Sequence, residues 1–238
     1  MKLYWLEQKE ADVSTEDNWL SRWEIARLDS FRFPKRRADW RLGRWTAKQA
    51  LAAALNLECN HPALTNIEIR PASSGEPEVF LNNARAPVSI SISHREGRAM
   101  CAIARSDVRV GCDLEAIEFR GEAFVADYFT LEEQQAIAAA SGHDRERIVS
   151  LLWSAKESAL KALHEGLRLD TRTVIACFDY ESLNTDGWGS LQVRYDCETF
   201  MGWWQKTDRL VRTVVADVAS DTPICLPVGN CCAPEVAA

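Results

Sequence analysis

The sequence predicts an α+β fold of two similar halves, residues 1–107 and 108–218, followed by a loosely structured tail at 219–238. Two observations predict this class. Segments with helical periodicity and segments with strand periodicity occupy separate blocks, and the order strand, helices, several strands occurs twice. No sequence repeat links the halves, so their similarity is one of architecture. The tail contains several prolines, which is typical of irregular structure.

The first half opens with the strand-like run MKLYWLEQ. A helix is predicted from about Ser14, because Trp19 and Trp23 recur at helical spacing. Pro34 suits the first turn of a second helix, which should run to about Leu57. Five strand-like runs then follow, near 66–70, 78–82, 88–93, 99–104 and 108–116.

The second half repeats this arrangement. Its predicted helices cover 122–128, 131–140 and 145–164, and its later strands lie near 172–180, 190–197 and 209–217. Thr130 followed three residues later by Glu133 is the pattern of a capping box, which would start a helix at 131. We therefore interpret Glu133 as a structural residue.

Composition excludes several classes of function. The 238 residues are 47% hydrophobic and 26% charged, which is typical of a globular protein. A net charge of −7 disfavours nucleic-acid binding. No apolar run approaches the roughly 20 residues that cross a bilayer, and the N-terminus turns polar too early for a secretory signal. We expect a cytoplasmic protein that does not bind membranes, with all eight cysteines reduced.

The run RVGCDLEAIE at 109–118 has the alternation of a half-buried strand. One side carries the apolar residues Val108, Val110, Cys112 and Leu114. The other carries Arg109, Gly111, Asp113 and Glu115. Like charges two positions apart on one face repel each other unless a positive group lies between them. This face is therefore either a solvated edge or part of a metal site.

The run LLWSAKESALKAL places Trp153, Glu157 and Lys161 on one face of a helix, at successive steps of four. Taken alone, the pattern indicates an ordinary surface Glu–Lys pair. If the helix faces Asp113 and Glu115, three carboxylates converge. An oxygen-only site of that kind suits Mg²⁺ with several retained waters.

Two further segments are candidates for binding. Four cations follow one face of the long helix without an interspersed acid: Arg37, Arg41, Arg44 and Lys48. In an acidic protein this favours an anionic ligand such as phosphate over a solvated face. His94 follows the alternating strand SISIS. A lone histidine is more often structural, and its position at a strand end is what makes it a candidate.

These segments resemble the 4′-phosphopantetheinyl transferase family, in particular its larger, monomeric members that activate peptide synthetases. The family motifs Gly-x-Asp-x-Glu and Trp-x-x-Lys-Glu-x-x-x-Lys are matched by Gly111, Asp113, Glu115, Trp153, Lys156, Glu157 and Lys161. SISHREG, GEP, RLGRWTAK and FTLEE are similar to four further family segments, so the resemblance spans about 30–165 in the right order. Arg95 and Glu76 stand where the family often has serine and lysine.

The resemblance implies two α+β halves related by a pseudo-twofold axis, with the active site at their interface. It implies transfer of phosphopantetheine from coenzyme A, the co-substrate, to a serine of an apo acyl carrier protein or a peptidyl or polyketide carrier domain. Mg²⁺, for which Mn²⁺ can substitute, would bind to Asp113, Glu115 and Glu157. Glu157, directly or through a bound water, would be the base, and Lys161 would stabilise the leaving 3′,5′-ADP.

The implied contacts of coenzyme A are Arg37, Arg44, Lys48, Ser93, His94, Asp113, Lys156 and Lys161. A monomer is expected, because the doubled chain supplies both halves. Two alternatives stay open. One is a non-catalytic relative that binds coenzyme A or a carrier protein, and the other is a Mg²⁺-dependent hydrolase of coenzyme A.

Overall fold

A computed structural model describes residues 1–140, 142–165, 168–180, 183, 186–207 and 209–228. The helices are α1 (Arg22–Asp29), α2 (Pro34–Ala54), α3 (His61–Leu64), α4 (Glu122–Tyr128), α5 (Leu131–Ala139) and α6 (Gly142–Ala162). The strands of the first half are β1 (Tyr4–Lys9), β2 (Ile67–Pro71), β3 (Pro77–Leu81), β4 (Ala84–Arg85), β5 (Val88–Arg95) and β6 (Arg98–Arg105). Those that follow are β7 (Val110–Ala116), β8 (Val174–Phe178), β9 (Gly189–Tyr195), β10 (Glu198–Lys206), β11 (Leu210–Ala216) and β12 (Ile224–Cys225).

The two halves share a strand order. In the second half, one sheet runs β7-β11-β10-β9-β8, with α6 packed on β7 and β11. In the first half, β1 pairs with β6 and β6 with β5, and α2 packs on β1 and β6. The small sheet β2-β3-β4 lies beside β5 through β3, in the place of β8 and β9. The α+β class is confirmed, and the exact boundaries of the halves stay a prediction.

Serine side chains of β5 join the halves. The hydroxyl of Ser91 accepts a hydrogen bond from the backbone N–H of Cys112 at 3.0 Å, and that of Ser93 accepts one from Leu114 at 3.3 Å. The alternation in SISIS places these serines on one side of β5. They satisfy backbone donors of β7, which would otherwise be buried without a partner.

The sequence patterns placed most elements correctly. The helix expected from Pro34 is α2, and the run 145–164 falls in α6. The helix expected from Ser14 was wrong, because α1 begins only at Arg22, where Ser21 and Glu24 form a capping box. β10 was missed. The tail is not wholly irregular, because β12 pairs in parallel with β1, and residues 229–238 lie outside the described part.

Two broader expectations were also tested. Among the described residues, no helix is long and apolar enough to cross a membrane. Five described cysteines are free thiols: Cys101, Cys112, Cys177, Cys197 and Cys225. Cys59 is disulfide-bonded, which corrects the expectation that all eight are reduced. Cys231 and Cys232 lie outside the described residues.

Candidate active site

The acidic face of β7 is covered by protein. Asp113 is only 4% exposed, and the side chain of Glu115 is 13% exposed. The apolar face, from Val108 to Leu114, is buried as predicted. A solvated edge is therefore excluded, and the two carboxylates need partners within the protein or from a ligand.

Asp113 has partners on one oxygen only. Its Oδ1 accepts hydrogen bonds from the hydroxyl of Ser93 at 2.8 Å and from the ammonium of Lys161 at 2.7 Å. Lys161 also donates to the carbonyl of Cys112 at 3.1 Å, which fixes its position. Within the described chain, Oδ2 is buried without a hydrogen-bond partner. Because buried carboxylate oxygens are normally paired, this atom marks a place for a cation or a donor.

Glu115 has partners on both oxygens. Oε1 accepts a hydrogen bond from the indole N–H of Trp153 at 3.2 Å, and Oε2 accepts one from Arg120 at 3.0 Å. The guanidinium of Arg95 lies 3.6 Å from the same Oε2. Burial and the nearby Asp113 raise the pKa of Glu115, and the two arginines oppose that rise.

Glu157 lies on the face of α6 that packs toward β7. Burial raises the pKa of this carboxyl to about 7, with further increases from Asp113 and Glu115 and opposing effects of Lys161 and Arg120. No hydrogen bond or ion pair of Glu157 is found among the described residues. The helix therefore faces the strand, which is the arrangement that turns a surface Glu–Lys pattern into a candidate site.

The residues present fit a Mg²⁺ ion in part. Within the described ranges, no three His, Cys, Asp or Glu side chains form a group that could hold a metal ion. However, Mg²⁺ is commonly held by one or two carboxylates together with substrate phosphates and water. Asp113, through its unpaired Oδ2, and Glu157 provide two such carboxylates.

We expect Glu157→Gln to stabilise the metal-free protein at neutral and alkaline pH. A carboxyl whose pKa rises from 4.5 to about 7 on folding contributes stability that is complete below its unfolded pKa. That contribution is lost as the pH rises through about 7, and its upper bound is about 3 kcal/mol. Thermal unfolding with a chelator present, from about pH 5 to about pH 8.5, should show a fall only in the wild type. Parallel curves for the two proteins would contradict the assignment.

A cavity of about 1040 Å³ opens beside Lys161, between α2, the segment 71–77, β5 and the end of α6. Cationic and histidine side chains dominate its polar lining: Arg27, Lys35, Arg36, Arg44, His94, Lys161, His164 and Arg168. Aromatic side chains form one wall: Trp23, Phe31, Phe33 and Trp40. The cavity therefore suits a ligand that carries several negative charges and an apolar or aromatic portion.

The basic face of α2 divides into two sets. Arg44 lines the cavity, stacks on Trp40 and lies 3.8 Å from the buried carboxylate of Glu24. Arg37 instead pairs with Asp29 at 3.3 Å, and Arg41 with Asp17 at 2.8 Å, outside the cavity lining. The premise that no acid relieves this face was therefore wrong.

Lys48 does not fit its predicted role in binding phosphate. It is fully buried, pairs with Glu24, and donates to the carbonyls of Trp19 at 2.9 Å and Leu64 at 3.0 Å. Arg36, one position from the predicted stripe, lines the cavity in its place. The signal that would have found it is the spacing of Arg36, Trp40 and Gly43 along a neighbouring face.

Lys156 also departs from its predicted place near phosphates. It is fully buried, pairs with Glu133 at 2.8 Å and donates to the carbonyls of Thr171 and Val174. It therefore ties α6 to α5 and β8. Glu133 forms the expected capping box with Thr130, so its structural interpretation is confirmed.

Ser93 and Glu76 take supporting positions. Ser93 is buried and reaches the site through its bond to Asp113, while His94 lines the cavity. Glu76, the acid that replaces a common lysine, lines the cavity 3.7 Å from the imidazole of His164. Across the same opening, Arg168 donates to the carbonyl of Ser74 at 3.4 Å.

Comparison with known proteins points to one superfamily. A sequence model of the 4′-phosphopantetheinyl transferase superfamily matches residues 109–216. The 4′-phosphopantetheinyl transferase HetI of Nostoc sp. is 26% identical over 164 residues, which are 68% of this chain and 67% of that protein. A crystal structure of Helicobacter pylori holo-[acyl-carrier-protein] synthase in complex with coenzyme A covers 44% of this chain and 99% of its own, at 19% identity. Its TM-score of 0.30 is too low to carry a structural argument.

Proposed function

Because the chain belongs to the 4′-phosphopantetheinyl transferase superfamily, we propose that it transfers the phosphopantetheine arm of coenzyme A to a carrier-protein serine. The acceptor is an apo acyl carrier protein or a peptidyl or polyketide carrier domain, and the product released is 3′,5′-ADP. One observation carries the proposal. The unpaired, buried Oδ2 of Asp113 and the carboxyl of Glu157 meet at the edge of a cavity lined by cations.

The cavity supports coenzyme A as the donor. Its volume is at the upper end of the range for small-molecule sites, and coenzyme A is a large ligand with a 3′-phosphate and a pyrophosphate. Arg44 and His94 hold the 3′-phosphate, assisted by Arg36 on the next face of α2. The aromatic wall, which includes Trp40, covers the adenosine portion.

Asp113 and Glu157 would hold Mg²⁺, or Mn²⁺ in its place. When bound, the cation neutralises charge on the pyrophosphate of coenzyme A. Asp113 is prepared for this role because Ser93 and Lys161 fix its other oxygen. The reaction needs no second cofactor.

Glu157 is proposed as the general base. The serine hydroxyl oxygen bonds to the phosphorus that carries pantetheine, and the bond from that phosphorus to the bridging oxygen breaks. The serine proton passes to Glu157, and 3′,5′-ADP leaves with the bridging oxygen. Glu157 suits this step because its pKa of about 7 lies near the working pH. Lys161, beside the cavity, stabilises charge on the departing phosphate.

Intact-protein mass spectrometry tests the transfer. Several purified apo carrier proteins are incubated with the protein, coenzyme A and Mg²⁺. We expect one carrier to gain the mass of one phosphopantetheine arm, and a chelator to prevent the gain. Free phosphopantetheine without a modified carrier would instead establish the hydrolase. Binding of coenzyme A with no turnover on any carrier would establish the non-catalytic relative.

We also propose that the chain acts as a cytoplasmic monomer of the larger type. The strand orders of the two halves support this, because each half supplies one wall of the same cavity. The binding-only alternative is weaker, since a binding module has no use for a carboxylate base with a pKa near neutrality.

A further inference from the structure

The three carboxylates of the site differ in how their oxygens are occupied. Asp113 has one oxygen without a partner, and Glu157 has no hydrogen bond or ion pair within the described chain. Glu115, in contrast, accepts from Trp153 on one oxygen and from Arg120 on the other. The acceptor capacity that remains is therefore concentrated on the first two.

Arg120 is held firmly in this position. Its side chain is only 13% exposed, and its guanidinium lies 4.6 Å from the ring centre of Phe124 and 5.8 Å from that of Trp153. Its backbone carbonyl accepts a hydrogen bond from Arg145 at 3.2 Å. Aromatic faces and a fixed backbone leave the guanidinium little freedom to move away from Glu115.

A second arginine completes a balanced network. Arg95, at the end of β5, lies 3.6 Å from Glu115 and 2.6 Å from Glu118. Arg120 also lies 3.5 Å from Glu118, so two arginines and two acids form a group without net charge. Arg95 comes from the first half and the other three from the second. The network therefore links the halves at one side of the site.

We propose that Glu115 is a positioning residue that anchors Arg120 and Arg95, and that the cation site consists of Asp113 and Glu157 alone. The proposal rests on the transferase function and narrows its metal site. A guanidinium bonded to Oε2 of Glu115 would lie beside a divalent cation on the same oxygen and repel it. Arg120 thus occupies the place of a cation at the third carboxylate.

Direct binding of Mn²⁺ tests this, measured by electron paramagnetic resonance on the protein without coenzyme A. Asp113→Asn and Glu157→Gln should each weaken Mn²⁺ binding by at least about tenfold. Glu115→Gln, which keeps both hydrogen-bond acceptor and size, should change it by less than about threefold. Arg120→Met frees Glu115 and should bind Mn²⁺ at least as tightly as the wild type.

Three outcomes overturn the proposal. These are a loss in folded Glu115→Gln as large as in Asp113→Asn, weaker binding by Arg120→Met than by the wild type, or no Mn²⁺ binding by the wild type. Circular dichroism checks folding, and if Glu115→Gln does not fold, the Arg120→Met result decides. The proposed transfer is judged separately by the carrier mass. A modified carrier together with any of these outcomes would remove the two-carboxylate site and leave the transferase standing.

Discussion

Asp113→Asn is expected to reduce transfer to a carrier protein by at least about a thousandfold while leaving the fold in place. Asparagine has the size of aspartate and retains an oxygen that can accept from Ser93 and Lys161. It removes the negative charge and can place an N–H group where the unpaired Oδ2 now lies. A cation that faces the site then loses a ligand and meets a donor.

The initial rate of carrier modification, followed by intact mass, measures this effect. Asp107→Asn is the matched control, because Asp107 is an exposed acid in a turn that pairs with Arg105. We expect wild-type rates from the control and a wild-type circular dichroism spectrum from both variants. Transfer retained in folded Asp113→Asn would contradict the assignment of this carboxylate to the reaction.

Asparagine is a better test than alanine for a reason that only the structure shows. From the strand pattern alone, removal of Asp113 relieves a repulsion with Glu115 and should preserve or increase stability. In the structure, Asp113 is the partner of Lys161, while Glu115 already pairs with Arg120. Alanine would leave the ammonium of Lys161 in a half-buried place without its carboxylate, which is destabilising.

The relation between β7 and α6 could be predicted because it follows from local periodicity. A period of two places Asp113 and Glu115 on one face of the strand, and a period of 3.6 aligns Glu157 with Lys161 on the helix. These periods are properties of neighbouring residues. The packing of one face on the other is a tertiary fact, and the family resemblance supplied that expectation.

The basic helix could not be interpreted correctly from the sequence, because its partners come from distant segments. Glu24, in α1, reaches both Arg44 and Lys48, and Asp17 reaches Arg41. The 3.6-residue pattern shows which side chains share a face, but it does not show whether that face meets solvent, ligand or another helix. Lys156 was misplaced for the same reason.

The missed strand β10 had a usable signal. Phe200 and Trp204 are buried, whereas Met201 is exposed, so the segment alternates as a half-buried strand does. Gly202 interrupts that alternation in the sequence. In the structure, a Cβ at this position would lie 2.3 Å from the carbonyl oxygen of Val214, so glycine permits the close approach of β11.

Gly111→Ala is expected to destabilise the protein by about 3 kcal/mol or more. A Cβ on Gly111 would lie 1.8 Å from the carbonyl oxygen of Ser158 and 3.0 Å from the backbone nitrogen of Ala162. Both atoms belong to the backbone of α6, so no side chain can rotate away. The helix and β7 must separate, which also disturbs the contact between Lys161 and Asp113.

Thermal unfolding measures this loss, and a chain of this size should show a fall in Tm of roughly 6–12 °C. Gly43→Ala makes the same chemical change within α2, where the new Cβ would meet only a methyl group of Ile92 at an ordinary 3.4 Å. Because alanine favours helix over glycine, this control should keep or raise the Tm. A wild-type Tm for Gly111→Ala would mean that α6 does not contact β7 at this point. The motif glycine would then have no structural reason, since its role here is to bring the helix that carries Glu157 against the strand that carries Asp113.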